Sequence, residues 1–233
     1  MSVFKPETPR MTITLRVLAR LLGYPDDALR EHLHEASAAL HAERALGPGR
    51  LAEIDALSER LRAAQPLDAE AAYVELFDRG RSTALHLFEH VHGDSRDRGP
   101  AMVDLVKTYE QAGLLLAPGE LPDHLSVVLE YASTQPAAQA REFLREIAHI
   151  VQAIFSALLA RESGYASVLA AVLDLAGVAA APVALAAEPA LDDSWSEPPA
   201  FDGCSTEGQA APGQPQPIHL VKRPAAAQPG ARP

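Results

Sequence analysis

Leucine and alanine recur at intervals of three and four from the first residues to about Gly177, and no stretch of the chain alternates apolar with polar residues. That spacing places the apolar side chains on one face of a helix, and the absence of period-two patterning leaves no strand to build a sheet from. The chain therefore reads as all-α. Leu15, Leu18 and Leu22 mark a first helix closed by Gly23, and Leu29, Leu33, Ala36 and Leu40 mark a second that Asp26 and Asp27 open. Leu51 to Leu61 follow the breaker Gly47-Pro48-Gly49, and Tyr73, Leu76 and Phe77 lie on a fourth helix ending near Gly80. Leu85, Phe88 and Val91 form a short fifth that stops at Gly93. Stripes through Met102–Ala112, Leu125–Ala132, Phe143–Leu158 and Val168–Ala176 complete the set. With short connections between them, these predict a single-domain helical bundle of about eight to nine helices over residues 1–177.

Beyond Gly177 the pattern stops. Residues 178–233 carry ten of the 19 prolines and no helical stripe, and the composition predicts a disordered Pro/Ala-rich tail. Two apolar islands interrupt it, Trp195 with Phe201 and Ile218 to Val221; they read either as incidental linker residues or as short docking motifs that fold when bound.

Charge and cysteine content narrow the partners. With 31 acidic and 20 basic residues the formal charge is −11, which repels a phosphate backbone or an anionic membrane and attracts a basic peptide. Nucleic acid and direct membrane insertion are excluded on this reading. Cys204 is the single cysteine, so neither an intramolecular disulfide nor a site built on several thiolates can form. Arg16 and Arg20 interrupt the apolar residues near the N-terminus, and the nearest uncharged apolar run, Val178 to Ala187, is too short to span a bilayer. A cytoplasmic location is expected.

Chemistry-bearing residues concentrate between Tyr73 and Tyr131. His86, Glu89 and His90 spell H-x-x-E-H, in which two histidines one helical turn apart hold zinc and the glutamate acts as base. A third ligand is required, and Glu142, Glu146 and Glu162 are the downstream candidates. The surrounding Asp78, Arg79, Arg81, Asp94, Arg96, Asp97 and Arg98 also suit helix capping and cross-loop pairing. Asp97 or Ser95 reads as an N-cap, Gly80 and Gly93 as C-terminal glycines, and Asp123 as the N-cap of the helix after Pro122. Charged groups beside Tyr73, Phe77 and Phe88 suit a groove for a peptide with both apolar and charged side chains. Neither a nucleophile elbow nor a phosphate loop is present. On residue pattern alone the chain is a helical binding protein, with a metallopeptidase and a generic helical scaffold as alternatives.

The segment YVELFDRGRSTALHLFEHVHGDSRDRGPAMVDLVKTYEQAGLLL, followed by ELPDHLSVVLEY, resembles the TorD/DmsD/NarJ family of molybdenum-enzyme assembly chaperones, in its nitrate reductase branch. The resemblance spans Tyr73 to Tyr131, with FDRGR on Phe77–Arg81, HLFEHVHG on His86–Gly93 and the P-D-H element on Pro122, Asp123 and His124. It implies a private chaperone without catalytic residues, metal or cofactor of its own. Such a protein binds the N-terminal leader of the apo catalytic (alpha) subunit of nitrate reductase, a twin-arginine signal or its remnant. It holds that subunit in the cytoplasm until molybdenum cofactor and iron–sulfur clusters are in place, and so delays docking on the membrane subunit. The beta subunit and molybdenum cofactor biosynthesis proteins are further implied partners. Glu120, Pro122, Asp123, His124, His90 and Arg96 are expected to line or brace the leader groove, with His124, titrating near neutrality, making affinity pH-dependent.

Overall fold

A computed structural model describes residues 10–93 and 95–184. Among them are ten α-helices: α1 (Thr12–Leu21), α2 (Asp27–Glu31), α3 (Leu33–Glu43), α4 (Pro48–Ala63), α5 (Pro66–Phe77), α6 (Leu87–Val91), α7 (Arg98–Gln111), α8 (Leu125–Thr134), α9 (Ala137–Ala160) and α10 (Ala166–Ala176). No strand occurs among the described residues, and the all-α expectation holds.

The expected second helix is two. His32 donates from its ring Nδ1 to the Ala28 carbonyl at 2.8 Å, the acceptor its own backbone N–H would use in a continuous helix. That N–H turns instead to Leu29 O at 3.1 Å, and α2 ends there. Pro48, read as a breaker, occupies the first turn of α4, where its missing N–H leaves no partner unsatisfied.

Helix α10 lies at the centre. Its eleven residues are buried except Asp174, so the apolar stripe expected from Val168, Val172 and Ala176 is in fact a helix apolar on all sides. Asp174, the one charged residue of α10, accepts from Arg50 Nε of α4 at 2.8 Å. The most extensive packing is α10 on α9, followed by α1 on α8. Helix α9 turns Leu144, Val151, Ile154 and Leu158 inward at intervals of three, four and seven. By length and hydropathy α9 is the one described helix that could cross a membrane, but Arg141, Glu142, Arg145 and Glu146 interrupt it, and half of its most apolar window is buried inside the bundle. Past Gly177 the backbone runs along α9 through Val183, whose N–H donates to Ser156 Oγ at 2.9 Å. The tail motifs at Trp195, Phe201 and Ile218–Val221 lie outside the described residues.

Gly80 does not terminate a helix. Its φ of −100° is ordinary, and α5 has already ended at Phe77. A glycine is needed there because a Cβ would meet Thr83 Oγ1, the Arg161 guanidinium at 2.7 Å and the Leu76 carbonyl at 2.9 Å. Gly93, at φ +52°, is the left-handed residue expected after α6.

Candidate functional site

Two separate segments, 84–91 and 121–126, are laced together at one end of the bundle. Leu87 N–H donates to the Asp123 carbonyl at 3.0 Å and Leu125 N–H to the Leu85 carbonyl at 2.8 Å, a single antiparallel bridge centred on His86 and His124. Backbone groups at the start of α6 and α8, which have no partner within their own helices, thus satisfy one another.

Asp123 locks this junction. Its side chain is fully buried, yet its carboxylate accepts the Phe88 N–H at 3.1 Å, faces His86 Nδ1 at 3.4 Å and lies 3.8 Å from Arg98. Arg98 is held in turn by Glu89 at 3.3 Å. Burial alone would raise the Asp123 pKa; the His86 and Phe88 hydrogen bonds, with the charges of His86 and Arg98, outweigh it and hold the carboxyl below its ordinary range. The same bond to Asp123 raises the His86 pKa against the effect of burial, with Asp123 and Glu89 charges helping.

Asp123 is therefore not the N-cap of α8. That position belongs to His124, whose ring Nδ1 accepts the Ser126 N–H at 3.3 Å. The carboxylate instead caps α6, a helix thirty-five residues earlier, whose own N-cap residue, His86, supplies no side-chain bond. An accepting Nδ1 requires neutral imidazole, and burial followed by the charge of nearby His86 pushes the His124 pKa down to about 4. The expected titration of His124 near neutrality is corrected; His86 is the histidine whose charge is favoured.

The H-x-x-E-H geometry fails for a related reason. His86 precedes α6 in extended backbone and turns to Asp123, while His90, on the helix, donates to the Ala84 carbonyl at 2.8 Å. The two rings do not converge on one helical face. Among the described residues no group of three histidine, cysteine or carboxylate side chains is placed to hold a metal ion.

Beside the junction lie two clefts that share Glu120, Val127 and Glu130. One, about 380 Å³, runs past Arg16, Tyr109, Leu114–Leu116 and Tyr131; the other, about 450 Å³, runs past Ala19, Arg20, His86, Leu121 and His124. Leu115 is 86 % exposed and Leu121 46 %, so apolar surface faces solvent beside the carboxylates. Neither Glu120 nor Glu130 is in an ion pair among the described residues. Burial, then the charge of Glu120, raises the Glu130 pKa, with Arg16 offsetting in part. The floor is held from two sides: Tyr109 OH donates to the Pro122 carbonyl at 2.8 Å, and its ring packs against Tyr131 with centroids 4.9 Å apart and planes tilted by 40°.

The expected site residues thus fall into three positions. Glu120 and His124 line the clefts, whereas Asp123, Pro122 and His90 brace the segments behind them. Arg96 is exposed in the turn before α7 and lines neither cleft. Sequence reasoning passed over Glu130, Arg16, Arg20 and Leu114–Leu116. Three consecutive leucines directly after a terminating glycine, Gly113, were the available signal for an apolar loop on the surface.

Comparison with known proteins bears on what this groove serves. Residues 25–171 match the family described as "Nitrate reductase delta subunit". The chain is 48 % identical over 163 residues to the nitrate reductase molybdenum cofactor assembly chaperone NarJ of Escherichia coli (strain K12), covering 70 % of this chain and 69 % of that protein. It is 41 % identical over 161 residues to a protein of the same organism named "Probable nitrate reductase molybdenum cofactor assembly chaperone NarW", covering 69 % and 67 %.

Proposed function

The chain belongs to the nitrate reductase delta subunit family, and from that membership we propose that it is an assembly chaperone for the catalytic subunit of a respiratory nitrate reductase. It captures the N-terminal leader of the apo-subunit in the groove around Glu120 and Glu130 and releases it once molybdenum cofactor and iron–sulfur clusters are in place. The two Escherichia coli relatives described above are named as nitrate reductase molybdenum cofactor assembly chaperones. Holding the apo-subunit in the cytoplasm, with the beta subunit and cofactor biosynthesis proteins attending, belongs to the same reading.

The observation that carries it is the continuity of two clefts through a shared pair of carboxylates flanked by exposed leucines. A basic amphipathic segment matches both features. Its apolar side chains would cover Leu115 and Leu121, removing that surface from water, while its cations approach the exposed carboxylates of Glu120 and Glu130, pairs that orient the segment and weaken with salt. Binding requires no covalent chemistry and no proton transfer. The Asp123–His86 junction keeps the α6 and α8 ends of the groove in register, so the surface is formed before the peptide arrives.

Co-expression with the catalytic subunit tests this reading. The full chain should co-purify with the apo-subunit and fail to do so when the N-terminal leader is deleted. Equal recovery of a leaderless subunit would contradict it. A metallopeptidase is disfavoured by the divergence of His86 and His90.

A further inference from the structure

We propose that the groove reads charge of both signs: Arg16 takes a carboxylate of the bound leader, while Glu120 and Glu130 take its cations. The inference rests on the leader reading of the groove and assigns its selectivity to particular side chains. Helix α1 supplies Arg16 to one cleft and Arg20 to the other, one helical turn apart, and both clefts share Glu120 and Glu130. His86 adds a third basic group. These charges differ in whether the chain already matches them. Arg20 is paired with Asp26, and His86 faces Asp123 at 3.4 Å. Arg16, Glu120 and Glu130 enter no ion pair among the described residues. Those three are left for a ligand to match.

Arg16 is also oriented. Buried Ser133 donates its hydroxyl to the Glu130 carbonyl at 2.6 Å and accepts from Arg16 Nε at 3.3 Å, a bond that spans the contact between α1 and α8. It occupies Nε and leaves the end of the guanidinium formed by its two terminal nitrogens. That edge meets a carboxylate through two parallel N–H bonds. Tyr109, Tyr131 and Leu114–Leu116 line the same cleft, so the side chain suited to it is an acidic one with apolar neighbours. A purely basic segment satisfies the two glutamates but sets a cation against Arg16. A segment carrying both signs satisfies all three groups, and their arrangement fixes its register. Exposed pairs of this kind change affinity roughly two- to fivefold each. The carboxylate therefore discriminates among basic leaders, while apolar burial supplies most of the affinity.

Titration calorimetry of the full chain at low salt tests this with two C-terminally amidated peptides: the leader, and the same leader with every Asp and Glu changed to Asn and Gln. The neutralised peptide should bind the wild-type chain about two- to fivefold more weakly. Against Arg16→Gln the two peptides should bind alike, and against Arg20→Gln the wild-type difference should persist. Each ratio is taken within one variant, so any loss of folded fraction cancels. Binding lost in Arg16→Glu should be recovered by a leader whose Asp and Glu are changed to Lys. A leader without an acidic side chain, or a wild-type chain that binds both peptides alike, overturns the proposal and leaves the leader reading standing. So does a preference that survives Arg16→Gln, or one that Arg20→Gln abolishes equally. A wild-type chain that binds neither peptide removes the leader reading, and this proposal with it.

Discussion

The carboxylate of Asp123 accepts the backbone N–H of Phe88 at 3.1 Å, so a residue just before α8 caps α6 from the far side of the intervening α7 segment. This bond ties two ends of the groove together and makes Asp123 a structural brace rather than a contact for a peptide. Its exposure is zero.

Asp123→Ala should therefore act on stability before it acts on binding. It leaves the Phe88 N–H, His86 and Arg98 facing a gap in a buried setting, at a cost of about 2–4 kcal/mol. Asp123→Asn retains an oxygen for Phe88 N–H and removes the charge, so a loss of about half that size is expected. Urea denaturation measures both. A midpoint unchanged in Asp123→Asn would show that the charge at this junction contributes nothing.

The pH dependence has a definite sign. His124 has a folded pKa of about 4, below the ordinary 6.5 of imidazole, so the unfolded chain binds more protons between those values. Its contribution to stability is whole above pH 6.5 and is lost progressively as pH falls towards 4. Asp123, with a lowered pKa, adds a loss at still lower pH as the carboxylate protonates. His86, with a raised pKa, acts oppositely: its contribution is complete below 6.5 and fades as pH rises through its folded value. Stability should thus fall between pH 6.5 and 4, and His124→Asn, which keeps a capping oxygen, should flatten that fall. Equal slopes in wild type and His124→Asn, measured by urea midpoints across this range, would contradict the assignment.

At Gly80 the expected effect is steric. In Gly80→Ala the new methyl meets the Leu76 carbonyl, which cannot swing aside as a side chain can. A destabilisation of about 1–3 kcal/mol follows, the range for overpacking. A thermal midpoint equal to wild type would show that the α5 end relaxes freely.

The zinc alternative has its own readout. With His86 committed to Asp123 and His90 to Ala84, added zinc should leave the melting temperature unchanged and chelators should leave peptide capture intact. Stoichiometric zinc, together with peptide hydrolysis that Glu89→Gln abolishes, would restore the metallopeptidase.

The helices were legible in the sequence because their apolar spacing is local and their packing agrees with it. Phe143, Ile147, Ile150, Ile154 and Leu158 announce α9, although its buried face is rotated to take in Leu144 and Val151 and leaves Phe143 and Ile147 only partly buried; Asp26 announces α2 by accepting the Leu29 N–H at 2.8 Å. What escaped were relationships between segments distant in sequence. Asp123 after Pro122 looks like a local N-cap, and nothing within ten residues of it reveals that its acceptor role is to Phe88. His124 looks like an ordinary titrating histidine until burial and His86 are placed beside it. The break at His32 turns on one ring nitrogen taking a carbonyl, a choice that residue spacing does not encode. Glu120 was identified from its neighbourhood to the P-D-H element, but Glu130 was not, since a glutamate between buried Leu129 and half-exposed Tyr131 reads simply as the polar face of α8.

Whether the carboxylates shared by the two clefts hold the leader of the apo catalytic subunit is decided by titration calorimetry of the full chain with the synthetic leader, at low and high salt. Glu120→Gln with Glu130→Gln should weaken binding about tenfold or more at low salt and reduce the salt dependence, at an unchanged melting temperature, because screening acts on the charge pairs these substitutions remove. Wild-type affinity with an unaltered salt slope in the double variant would place the leader elsewhere on the molecule.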